Sequence, residues 1–496
     1  MSPRPLPALP PALSAFFTAG SRALLALGPR YLPFADAASA DLPLARLLRL
    51  SLFQISVGMA AALLVGTLNR VMIVELGVSA AMVAAMVALP LLVAPFRALV
   101  GFRSDHHRSA LGWRRVPYVW FGSMLQFAGL AIMPFALMIL SGDTTGPLWI
   151  GPIAAGMAFL LVGAGMQTAQ TAGLALATDL AAEASRPRVV ALMYVMLLVG
   201  MLGSGFVFSL LLADFTPTRL VQVVQGAALV TWVLNLVATW KQEPRDPERN
   251  RRAKGAPAPQ FRAAWSQFVA DRRARRFLWA TALGTAAFNM QDIVLEPYGG
   301  EILHLTVSQT SALTALFAAG SLAAFALAAH NLTRGGNAFR LAAIGALVGL
   351  PGFSAVVFAS ALESPLMFRA GTVLIGFGAG LFAVGTLTAA MSLERREHVG
   401  LALGAWGAVQ AAAAGLSIAG GGALRDVVGS LASTGALGVV LNDPATGYSV
   451  VYHVELALLF AALIAIGPLV RTPRASRHSA PNDSSPRRFG LADLPG

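Results

Sequence analysis

The stretch KQEPRDPERNRRAKGAPAPQFRAAWSQFVADRRARR, residues 241–276, is the longest polar connection between apolar segments of the chain, and it holds 11 of the 36 lysines and arginines. On each side of it lie six segments long and apolar enough to cross a bilayer, whose hydrocarbon core of about 30 Å takes roughly 20 helical residues. The first six fall near 50–74, 80–102, 116–140, 148–177, 188–212 and 219–240. The second six fall near 277–298, 310–330, 341–361, 366–391, 401–424 and 450–470. A Pro-rich basic arm at 1–49 precedes them, and a polar tail at 471–496 that reads as disordered follows. Residues 11–28 of the arm read either as an interfacial helix or as part of a disordered segment. The arm lacks the pattern of a cleaved signal peptide.

Only 12% of the residues are charged, about half the usual share of a soluble protein, so the chain reads as one all-α polytopic membrane protein rather than three soluble domains. A formal charge of +13 would suit nucleic acid, but its placement speaks for topology. With both termini on one side, every lysine and arginine except Arg70, Arg219, Arg369 and Arg425 falls on that side, span ends included. The positive-inside rule makes that side cytoplasmic. The linker lacks aromatics interleaved at a nucleic-acid-like spacing, so it reads as an anchor at the lipid surface, and no nucleic acid is expected. Cysteine is absent, which excludes disulfides, thiolate metal sites and cysteine nucleophiles. Walker A, zincin, nucleophile-elbow and dinucleotide motifs are missing, so no enzyme is expected. His106 and His107 beside Asp105 read as solvated loop histidines rather than a metal site.

Two six-helix halves joined by a long cytoplasmic linker resemble the major facilitator superfamily fold of 12 transmembrane helices. The connection after span two supports this. Gly101 and Asp105, then Gly112, Arg114 and Arg115, resemble that superfamily's loop 2–3 signature with a longer spacer; a generic basic loop is the bland alternative. Glycine lets helices approach, the aspartate caps or pairs, and the arginines are expected to anchor at anionic headgroups. The equivalent loop at 331–340 is degenerate.

Longer stretches resemble a narrower family. They are LLRLSLFQISVGMAAALLVGTLNRVMIVELGV (47–78), APFRALVGFRSDHHRSALGWRRVPYVW (94–120), QTAGLALATDLA (170–181), QDIVLEPYGG (291–300) and GLALGAWGAVQ (400–410). Together they resemble the PucC/LhaA family of major-facilitator-like proteins over about residues 30–470. That resemblance implies an assembly factor for bacterial light-harvesting complexes that binds or delivers bacteriochlorophyll in the intracytoplasmic photosynthetic membrane. It implies antenna subunits as partners, with reaction-centre assembly intermediates and pigment-synthesis enzymes as further candidates. The rival reading is an alternating-access transporter of a small solute or pigment precursor. Against it, spans one to six hold no mid-membrane Asp or Glu for a proton relay. The resemblance also leads us to expect histidine, the usual axial ligand of a tetrapyrrole metal, where this chain has Gln167.

Intramembrane charges cost several kcal/mol and face a cavity or a partner. Asp292 and Glu296 lie four residues apart near the outer end of span seven, and Arg70 lies at the outer end of span one. Three readings compete for the carboxylates: an ion pair with Arg70 closing the periplasmic side between the halves, a polar site for a pigment or antenna subunit, or carboxylates merely reaching water. The ion pair leads because it accounts for both signs of charge. Further candidates for pigment or partner contact are Gln167 and Gln170 in span four, Tyr298 after the carboxylates, and His453 and Glu455 in span twelve. Interhelical hydrogen bonding is an equal reading of the two glutamines.

Overall fold

The computed structural model describes residues 42–92, 100, 104, 113–141, 147, 149–182, 185–243, 270–393 and 399–471. Among these residues ten helices are long and apolar enough to cross a membrane. They are span one (Leu44–Glu75), three (Val116–Leu140), four (Ile150–Leu180), five (Arg186–Leu211) and six (Pro217–Thr239) of the first half. The second half supplies spans eight (Val307–Thr333), nine (Ala338–Ala361), ten (Pro365–Leu393), eleven (Val399–Ser433) and twelve (Ala445–Arg471). Span two is described over Ala80–Leu92. Span seven is broken into Arg272–Asn289, a 3-10 turn at Met290–Ile293, and Leu295–Glu301. All twelve expected positions are filled, and the architecture is that of the major facilitator superfamily, in a multi-pass membrane protein.

Several helices outrun the apolar segments that announced them, because polar side chains satisfy the free backbone donors of a helix start. Asp271 accepts from the backbone N–H of Arg273 and Ala274, both at 3.1 Å, so span seven begins at Arg272 in the midst of basic residues. Thr306 and Gln309 form a reciprocal capping box at the start of span eight. Asn337 caps span nine and Thr216 caps span six.

Each half is drawn together by the same device. A Cβ on Gly122 of span three would lie 2.7 Å from the carbonyl oxygen of Gly165 in span four. At the equivalent place in the second half, a Cβ on Gly345 of span nine would lie 2.6 Å from the carbonyl oxygen of Gly378 in span ten. Backbones that close exclude any larger residue. The recurrence fits a repeat of one six-helix unit. Between halves, span two packs on span eleven and span five on span eight.

The loop 2–3 motif is described only in part, since Gly101, Asp105 and Gly112 lie outside the described residues, as do the arm before residue 42, the linker at 244–269 and the tail after 471. Arg114 and Arg115 differ from the headgroup anchors expected. Arg115 is buried and, with Arg114, pairs with Asp179 at the end of span four, at 3.1 and 2.6 Å. Arg115 also donates to the Ser104 hydroxyl at 2.6 Å. Glu243, just past span six, accepts from the backbone N–H of Arg114, Arg115 and Val116 and so caps span three. Nearby carboxylates satisfy this corner: the Arg115 guanidinium is buried and cannot reach lipid, while Arg114, paired with Asp179, stays partly exposed.

Candidate functional site

Pro297 shapes the outer end of span seven. It has no N–H to offer the carbonyl of Ile293, and it disfavours helical geometry at the residue before it. The helix tightens into the 3-10 turn at Met290–Ile293, and Asn69 of span one takes over the freed acceptors. Its side-chain amide donates to the carbonyls of Asp292 at 3.0 Å and Ile293 at 3.2 Å. A broken intramembrane helix persists when neighbouring helices satisfy its backbone in this way. Here that neighbour belongs to the other half.

Arg70 also crosses to the other half, but to the connection after span seven rather than to the carboxylates, and the expected ion pair is not formed. Its guanidinium pairs with Glu75 and donates to the carbonyl of Leu305 at 3.2 Å. Span one explains the change of partner. It winds as a π-helix over Ala62–Leu68 and again over Val71–Glu75, and wider turns bring residues five apart onto one side. Gly300 makes room for the guanidinium, since a Cβ there would lie 3.0 Å from the Arg70 Nε. An equilibrium stability cycle checks the reassignment. Arg70→Gln and Glu75→Gln should be coupled by about 1 kcal/mol, whereas Arg70→Gln and Asp292→Asn should add within about 0.5 kcal/mol. Coupling of Arg70 to Asp292 above that level would restore the original pair.

The carboxylates instead face a cavity of about 370 Å³ between the halves. Glu296 is 4% exposed and accepts from the Thr314 hydroxyl at 3.1 Å. Asp292 accepts from the side-chain amide of its neighbour Gln291. The 3-10 turn separates the two carboxylates, yet both remain on the cavity wall. Asn289, Gln291 and Gln410 extend the polar lining, while Phe288, Phe317, Phe325 and Phe382 form much of the apolar lining. Spans one and five complete it with Ala61, Val65, Leu198 and Met201.

The other candidates lie elsewhere. The Gln170 amide donates to Gln54 of span one at 3.3 Å, the interhelical bond that was the equal reading. Gln167 is half-buried and outside the cavity lining, with its side-chain oxygen unbonded. Tyr298 is fully buried, donates to the Val356 carbonyl at 3.3 Å, and stacks among Phe368, Tyr448 and Tyr452. His453 is exposed and its Nδ1 lies 2.6 Å from the Ser449 carbonyl oxygen. Glu455 points the other way, fully buried and outside the cavity lining, and interacts with Asp292 and with the backbone of Gln291.

Further contacts between the halves, at the end of the bundle that holds Arg70, involve residues the sequence reading did not single out as a site. Asp426 of span eleven accepts from the backbone N–H of Ala80 at 3.2 Å and Ala81 at 2.7 Å, the free donors at the start of span two in the other half. Arg425 holds Asp426 at 3.0 Å and pairs with Glu301 at 2.5 Å. The Tyr448 hydroxyl donates to Glu301 at 2.7 Å, and its ring lies under the Arg425 guanidinium, 4.7 Å away. Thr67 and Ser311 add a hydroxyl contact across the halves at 3.1 Å. The signal available in the sequence was an Arg-Asp pair inside an otherwise apolar helix.

Known proteins resemble the chain in sequence and in fold. A family model described as PUCC protein matches residues 67–473. Protein PucC of Rhodovulum sulfidophilum is 57% identical over 406 residues, covering 81% of this chain and 89% of the relative. A Rhodobacter capsulatus protein named for its position in the puhA-bchM intergenic region is 53% identical over 475 residues, covering 96% and 99%. A bacteriochlorophyll synthase 44.5 kDa chain of Rhodobacter capsulatus is 27% identical over 446 residues, covering 85% and 95%. Among solved structures, the nucleoside transporter NupG (D323A mutant) superposes with a TM-score of 0.62 at 14% identity, covering 86% of this chain and 99% of its own.

Proposed function

We propose that this chain, which belongs to the PUCC protein family, is a non-catalytic assembly factor that binds bacteriochlorophyll and passes it to light-harvesting antenna subunits. The observation that carries the reading is the cavity between the halves, whose lining combines aromatic and aliphatic side chains with carboxyl and amide groups. A magnesium tetrapyrrole has the matching chemistry, a flat apolar ring around a hard cation that takes oxygen ligands. Asp292 and Glu296 offer such oxygens. A volume of 370 Å³ suits a ligand of ordinary drug size, and the pigment with its isoprenoid tail is larger, so taking it whole requires the halves to part. The family relatives and the distant bacteriochlorophyll synthase chain support the pigment context.

Deleting the gene from a phototrophic host tests this. Antenna complexes should fall to a small fraction of normal while bacteriochlorophyll synthesis continues. Normal antenna levels would sink the reading. The alternative, a transporter of a small solute or pigment precursor, draws on the outer seal, which suits alternating access; it expects the deletion to change pigment synthesis or solute content instead.

The membrane placement belongs to the same proposal: the photosynthetic inner membrane, with both termini and the linker in the cytoplasm. Reporter fusions at Gly255 and Gly435 should report opposite sides. Agreement between them would refute the orientation.

A further inference from the structure

Where span seven breaks, it meets span twelve, and buried oxygens collect at the junction. The helix Arg272–Asn289 ends there, and a helix C-terminus carries partial negative charge. Glu455 of span twelve is fully buried against the turn that follows, interacting with the backbone of Gln291 and with the Asp292 carboxyl. Its two carboxyl oxygens lack a complete hydrogen bond, and the buried Gln291 side-chain oxygen is unbonded because that amide donates its N–H to Asp292. Tyr452, one turn before Glu455, is fully buried, interacts with it, and leaves its hydroxyl unbonded. The nearby basic groups are engaged or turned away. Arg70 is held by Glu75 and Leu305, Arg425 by Glu301 and Asp426, and His453 is exposed.

Buried acceptors without donors are costly, and a buried unpaired carboxylate more so. A proton neutralises one carboxyl and satisfies one further acceptor, leaving the others as they are. A cation engages several oxygens at once. Oxygen donors alone suit a hard cation, and broken membrane helices bind sodium through helix C-terminal ends and unwound backbone beside acidic groups. Among the described residues no three or more histidine, aspartate or glutamate side chains are grouped to hold a metal ion, so two carboxyls with neutral oxygens fit a monovalent ion better than a divalent one. We propose that the turn Met290–Ile293 and the Tyr452–Glu455 segment bind one sodium ion, with Glu455, Asp292 and the Gln291 side-chain oxygen as ligands and the Tyr452 hydroxyl beside them. Glu455 and Tyr452 lie outside the cavity lining and Asp292 belongs to it, so the ion and the occupant of the cavity share one side chain. The site does not depend on what that occupant is.

The test uses the full chain, purified in detergent from a host that makes no bacteriochlorophyll, and follows thermal unfolding as sodium chloride replaces choline chloride at constant ionic strength. A ligand that binds only the folded state raises its stability, so the unfolding midpoint should climb by several degrees and saturate. Radioactive sodium should bind the unaltered protein at about one ion per chain. Glu455→Gln and Gln291→Leu should each weaken the sodium response about tenfold or more, while Asp214→Asn, an exposed carboxyl elsewhere, should respond as the unaltered protein does. In choline chloride alone Glu455→Leu, free of the unpaired carboxyl, should unfold at the higher temperature, and sodium should narrow or reverse that difference. Equal midpoints in sodium and choline together with no bound radioactive sodium would overturn the site and assign protons to the carboxyls. A sodium response that survives unchanged in both Glu455→Gln and Gln291→Leu would overturn the assignment of ligands. Neither result bears on the pigment reading, since no pigment is present.

Discussion

Asp426→Ala should open the outer face of the protein. The carboxylate accepts from two backbone donors at the start of span two and is held in place by Arg425. Hydrogen bonds to a charged group contribute about 1.5–3 kcal/mol each, and the helix start favours an anion by its dipole as well. Losing both, about 3–6 kcal/mol, should shift the closed-to-open ratio by about a hundredfold or more. The chain has no cysteine, so spin labels at cysteines replacing exposed Met82 and Leu431 report from those positions alone. In the unaltered protein their distance distribution should be short and narrow, and in Asp426→Ala a longer population should dominate. Asp426→Asn keeps an acceptor oxygen and should fall between the two. Identical distributions in all three would show that the seal does not depend on this residue.

The second large effect should come from Glu455, and in the stabilising direction. Its carboxyl is fully buried, and its contact with the backbone of Gln291 falls short of full hydrogen-bond geometry. An unsatisfied buried polar group costs about 1–3 kcal/mol, and Asp292 beside it adds no attraction. Glu455→Leu removes that cost in similar volume and should raise the unfolding midpoint in detergent by several degrees. Glu455→Gln, which keeps a polar group there, should stabilise less. A Glu455→Leu protein that is markedly less stable would mean that the carboxyl has a strong partner and contributes to the fold.

Much of the fold was legible because hydropathy and charge placement are one-dimensional signals. Twelve apolar segments and four outlying arginines follow from counting along the chain, and all twelve helix positions are filled. The partners of those arginines were not legible. Counting gives a residue's depth but not its azimuth, and span one departs from α-geometry where azimuth matters. The π-turns bring Arg70 to Glu75, a pairing that the α-helical period of 3.6 residues argues against. The same limit applies to Asp292 and Glu296. Their shared destination was legible as a polar site among competing readings, but the turn enforced by Pro297 and bridged by Asn69 depends on a neighbouring helix. Gln170 shows the converse, a polar residue in an apolar helix whose partner, Gln54, is simply another such residue across the helix contact.

We propose that pigment occupies the carboxylate-lined cavity. The most direct test is the absorption spectrum of the full-length protein purified in mild detergent from pigment-producing cells, beside its Asp292→Asn/Glu296→Gln variant. The account predicts bacteriochlorophyll bound to the unaltered protein at a fixed ratio near one per chain, and most of it lost from the variant at equal protein yield. Colourless unaltered protein, or equal pigment in both, would contradict it.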